Sequence, residues 1–205
     1  MSQRTRAGAL TVLAITGLTL GAALAEPAAA ATSRPGFLSA ADLPPHPTSS
    51  WTAGKVTRGE PEDLEGDTCL RALPGHENVW YRDFRTDLET NARQITVVLP
   101  DSGSAKSLVS ALNKDITSCP ARIEAADPEI EATGRDYGTL PVEEGAHVHG
   151  LHTETSWGAT DISLLSVGRD GRTVTVVDWG QMGGFDDAPV KAFKKTTTAA
   201  VTKLR

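Results

Sequence analysis

The sequence predicts an α+β fold: a mostly antiparallel β-sheet of about five to six strands packed by two main helices. Three observations predict it. Alternating or β-branched segments follow one another at hairpin-like intervals, one amphipathic helical stretch separates two groups of them, and a second such stretch closes the chain. Strands in that succession pair with their sequence neighbours, and helices at those places cover one face of the sheet. A length of 205 residues suits one domain, and 12 prolines with 19 glycines exclude a long coiled coil.

Residues Met1–Ala25 hold Arg4 and Arg6, an uncharged stretch from Ala7 to Leu24, and the small-x-small site Ala23-Leu24-Ala25. This is the three-part pattern of a secretory signal peptide cleaved near Ala25. Thr5 separates the two arginines, so a strict twin-arginine signal is absent, and no cysteine follows the stretch to carry a lipid. The Ala, Gly and Thr content is weakly apolar for a retained span, so no stable membrane anchor is expected in the mature form. Cleavage leaves 18 basic against 26 acidic residues, a net charge of -8 instead of -6. That acidic balance argues against nucleic acid as a partner. Residues 26–36 are rich in Ala, Pro, Ser and Thr and read as a disordered tether, with a single globular domain over 37–205.

Within the domain, Phe37–Leu43 is a short segment stopped by Pro44-Pro45-His46-Pro47. Trp51–Arg71 is polar and reads as a surface wrap pinned by Cys69. Val79–Leu88 and Arg93–Leu99 read as strands. Asp101 or Ser102 is placed to cap a helix from about Ser104 to Ser118, whose Ala105, Leu108, Val109, Leu112 and Ile116 form one stripe ending at Cys119. Export favours oxidised thiols, and Cys69 and Cys119 are the only pair. Their bridge closes a loop that stabilises the fold by roughly 2–4 kcal/mol and staples this helix to the wrap.

The second strand group is Tyr137–Val142, Ala146–Thr153, Thr160–Val167 and Thr173–Trp179. Asp170-Gly171 supplies a tight hairpin turn between the last two. Gly180-Gln181-Met182-Gly183-Gly184 reads as a flexible connection, and Asp187 with Pro189 opens a C-terminal helix carrying Val190, Phe193, Thr197, Ala200 or Val201, and Leu204 on one side. Lys203 and Arg205 fall in its last turn.

No catalytic set emerges. There is no G-x-S-x-G elbow and no phosphate-binding loop, and adjacent Glu143 and Glu144 on a strand face opposite ways, so they cannot flank one glycosidic bond. His147 and His149 share a strand face while His152 points to the other, which makes a three-histidine metal site awkward. Two of them completed by Glu143, Glu144 or Glu154 are the metal alternative; half-exposed histidines are the plainer reading, and no metal or other cofactor is expected. Of the tryptophans, Trp51, Trp157 and Trp179 are the ligand-binding candidates, joined by His147 and His149. An aromatic wall stacks on a sugar or another flat ligand. Trp157, in the polar setting Ser156-Trp157-Gly158, is the one expected at the surface.

Phe37–Pro44, Trp80–Arg85, Val174–Gly183 and Ala192–Thr197 resemble segments of secreted actinobacterial proteins of unassigned activity. The order of elements, with a cysteine ending the central helix, resembles the extracellular sensor domain of PknH-type mycobacterial kinases and related lipoproteins. The resemblance spans about Phe37 to Arg205, although those sensor domains carry two disulfides and this chain has cysteines for one. It implies an antiparallel sheet with helices shaping a cleft for a small ligand, and it transfers no catalytic residue. The expected function is thus a secreted, non-catalytic, sensor-like domain binding a small extracellular or cell-wall ligand. A protein-interaction or inhibitor module and a hydrolase of unrecognised type are the alternatives.

Overall fold

Strand β8 (Thr173–Met182) shows why this sheet is covered on both sides. Its Val174 and Val176 enter one apolar core while Val177 and Trp179, pointing the other way, enter a second. The near-continuous apolar run marks a strand buried on two faces. Helices covering a single face, as the sequence suggests, are therefore a misreading. Helix α1 (Ser102–Ala126) packs on one side and helix α2 (Val190–Thr202) on the other.

The computed structural model describes residues 34–205, and the signal-peptide reading and the tether reading of 26–33 lie outside them. Pro35 is buried, and Gly36, also assigned by composition to the tether, lies against Lys203. Among the described residues the sheet has eight antiparallel strands where five or six were expected. Two of the additions are two-residue strands within the polar wrap, β1 (Thr52–Ala53) and β2 (Thr57–Arg58), both paired to β3 (Val79–Arg85). The order continues through β4 (Asn91–Val98), β8, β7 (Thr160–Asp170) and β6 (Ala146–Thr155) to the edge strand β5 (Ile130–Leu140).

Helix α1 starts where its cap residue places it, with the Asp101 side chain accepting from the Ser104 amide at 2.8 Å. It runs eight residues beyond the expected Ser118, through Pro120. Proline removes one amide donor from the ladder. Beside it, Arg122 Nη2 donates to the Asp115 carbonyl at 2.6 Å and to the Thr68 carbonyl at 2.7 Å, tying this stretch of the helix to the wrap. Cys119 is thus inside the helix, joined to Cys69 with Cα atoms 4.9 Å apart. The segment after Trp179 is not a flexible connection: β8 continues to Met182 and a 3-10 turn, Phe185–Asp187, leads into α2. No helix among the described residues is long and apolar enough to cross a membrane.

Candidate functional site

Trp51 and Trp179, 128 positions apart in sequence, line one cavity of about 140 Å³ on the α2 side of the sheet. Three local features build it. The proline run ends the 3-10 turn Ala40–Asp42 and carries the chain across the sheet, with Pro44 buried against it. His46 Nδ1 accepts from the amides of Thr48 at 3.3 Å and Ser49 at 3.1 Å, turning the chain back. Trp51 then donates its indole N–H to the Pro44 carbonyl at 2.7 Å, which fixes the ring as a wall. The floor is Trp179, opposite Ala92 and Leu164 in the neighbouring strands, and the rim includes Gln181, Asp187 and Pro189.

Trp179 is 2% exposed, and its Nε1 is buried with no hydrogen-bond partner among the described residues. Buried indole N–H groups usually find an acceptor, because leaving one unpaired costs about 1–3 kcal/mol. The cavity therefore has a mixed lining, indole rings and prolines beside Thr90, Gln181 and Asp187, and one of its walls is the residue that carries the unsatisfied donor. Its size is close to that of cavities of about 150 Å³ that hold one benzene-sized ring.

The N-terminal wall is held from below. Gln94, fully buried on β4, accepts from the Leu38 amide at 2.7 Å and donates to Thr175 Oγ1 at 3.1 Å. Arg82 donates to the Leu38 carbonyl at 2.8 Å, and Thr196 on α2 donates to the Asp42 carbonyl at 2.6 Å. Lys203 pairs with Asp42 at 2.5 Å. Nothing in the residues' spacing reveals these ties; a glutamine inside the apolar-rich strand Arg93–Leu99 is the one local signal.

The other sequence candidates lie elsewhere. Trp157 is 65% exposed in the turn joining β6 to β7 and does not line the cavity. His147 and His149 lie on the α1 side of β6, their rings stacked with centroids 4.3 Å apart, while His152 meets Phe185 on the opposite side. The carboxylate beside the histidine pair is Asp136, its Oδ1 2.6 Å from His147 Nε2. Of the three glutamates considered from sequence, Glu154 lies toward the far end of β6, opposite Glu131, and the other two are engaged otherwise. Glu143 pairs with Arg205, and Glu144 accepts from the Gly171 amide at 3.0 Å and lies 3.7 Å from Arg169.

A third polar region lies on the α1 side, at the strand ends that α1 leaves open. Asp63, Asp83, Asn91, Arg93 and Asp178 line a groove of about 420 Å³. Arg93 bridges Asp83 at 2.5 Å and Asp63 at 2.6 Å. Burial, with Asp67 nearby, pushes the Asp178 carboxyl up to about 7 against the opposing pull of Arg93.

No family model matches the chain, and no curated protein matches it. Among solved structures, it is similar to the extracellular domain of PknH from Mycobacterium tuberculosis. The match has a TM-score of 0.43 and 14% identity, over 72% of this chain and 84% of that one. This likeness is distant, at the level of overall fold, and bears on no residue of the cavity.

Proposed function

We propose that the chain is an exported, non-catalytic domain that binds a small ligand in the cavity between Trp51 and Trp179. One observation carries the reading: a buried, unpaired indole donor beside a ring-sized chamber walled by a second tryptophan and by prolines. Such a site takes a single six-membered ring bearing a hydrogen-bond acceptor, and a cell-wall monosaccharide unit fits that description. The disulfide supports export, since such bridges persist in oxidising compartments.

A hydrolytic reading has Asp178 in its favour, as a carboxyl able to give or take a proton near neutral pH. Its neighbours weaken that reading. Asp63 and Asp83 are both bound to Arg93, so neither is free to act as a second carboxylate.

The test is a titration with N-acetylglucosamine and a soluble muropeptide, followed through the indole N–H resonances of labelled protein. The Trp179 signal is expected to move, with affinity reduced about tenfold or more in Trp179→Phe, the range for loss of one buried hydrogen bond. Trp51→Ala weakens binding and Trp157→Ala leaves it unchanged. A Trp157 signal that moves alone, with Trp179 silent, overturns the assignment.

A further inference from the structure

The histidine pair on the α1 side is independent of this cavity. Strand alternation places His147 and His149 on one face, and Asp136 of β5, the direct cross-strand partner of His149 next to a β-bulge, shares that face. One donor atom from each of the three lies within 4.8 Å of the other two. Asn113 on α1 settles the state of His149. Its Nδ2 donates to the Val109 carbonyl at 2.8 Å, so Oδ1, 2.7 Å from His149 Nε2, is the acceptor. His149 must then carry its proton on Nε2 and its lone pair on Nδ1. An imidazole that holds its other N–H on a protein oxygen is the common outer-shell arrangement around a bound metal.

We propose that Asp136, His147 and His149 bind a borderline divalent transition ion such as Zn²⁺. Two imidazole nitrogens and one carboxylate oxygen suit zinc or copper, whereas calcium and magnesium prefer all-oxygen shells. Donors around tetrahedral zinc stand about 3.3 Å apart. The closure comes from Asp136 and His147, with side chains 67% and 25% exposed, while His149 stays seated on Asn113. Three protein donors leave one coordination position for water or an external ligand. Asp136 and His149 also line a groove of about 280 Å³, together with Thr117 and Pro120 of α1 and Gly134 of β5. The site thus departs from the cofactor-free expectation.

The experiment uses tag-free full chain, stripped with EDTA, dialysed and titrated calorimetrically with ZnCl₂, with CaCl₂ in parallel. One Zn²⁺ per chain is expected, with calcium giving no heat. Cobalt in its place gives the visible bands of a four-coordinate N/O site. Asp136→Asn and His147→Ala each lower zinc affinity by about tenfold or more. Both positions are on the surface side of the cluster, and circular dichroism of each variant verifies that it is folded. Absence of stoichiometric zinc binding by the wild type overturns the proposal, as does undiminished affinity in both folded variants.

Discussion

Asp178 is a residue whose surroundings work against its charge. Its carboxyl is held near 7, well above the ordinary aspartate value of 3.8, first by burial and then by Asp67. Between those two values the folded protein binds more protons than the unfolded chain, so stability falls as pH rises through the window from about 4 to 7. Asp178→Asn therefore stabilises the fold at pH 8, by on the order of 2 kcal/mol after solvent screening, and the gain fades toward pH 4. Urea unfolding of both proteins at the two pH values checks this; an equal gain at both excludes titration as its source. Gly168 illustrates a steric requirement instead. A Cβ there stands 2.4 Å from Val201 Cγ2 and 2.9 Å from Ala146 Cβ, where α2 meets the sheet. Gly168→Val is expected to lower stability by about 1–3 kcal/mol through overpacking, read as a drop in melting temperature. Asp136 was illegible for a different reason: it precedes the segment expected as a strand, and only the pairing of β5 with β6 sets it opposite His149.

Elements were legible where one face is apolar and the other wet. The stripe of α1 and the spacing in α2 mark both helices, and Ala105, Leu108, Leu112, Ile116 and Cys119 are indeed buried. The first half of β5 was not legible, because an edge strand of Glu, Thr and Arg around small residues shows little apolar alternation. At the β7–β8 hairpin, Asp170 pairs with Thr173, so the turn is Gly171-Arg172, one residue later than the favoured dipeptide suggested. Gly171 has φ +55° and Arg172 does not share a positive φ, which fits glycine first in a two-residue turn. The disulfide ties α1 to the wrap, but it is not alone there. Asp115 accepts from the Ala72 amide at 2.9 Å, and Arg122 grips Thr68. The double variant Cys69→Ala/Cys119→Ala is thus expected to lose about 2–4 kcal/mol and still fold. Denaturant titration gives the loss, and a chain without cooperative unfolding contradicts it.

Across the whole molecule, sequence reading captured the mainly antiparallel sheet with two helices and the cysteine pairing, and missed how distant segments meet. Trp51 and Trp179 were each legible as candidates, but their common cavity depends on β4 lying between β3 and β8 and on Gln94 holding Leu38. Those relations are tertiary and have no local pattern. The same N-terminal segment imposes a steric condition on the end of the chain. Gly36 approaches Lys203 so closely that a Cβ would sit 1.9 Å from its carbonyl oxygen, and Asp42 is bonded to both Thr196 and Lys203. The first and last segments of the described unit are therefore held side by side, and position 36 admits no side chain larger than a hydrogen without moving α2's last turn away from the strand-side wall that leads to Trp51.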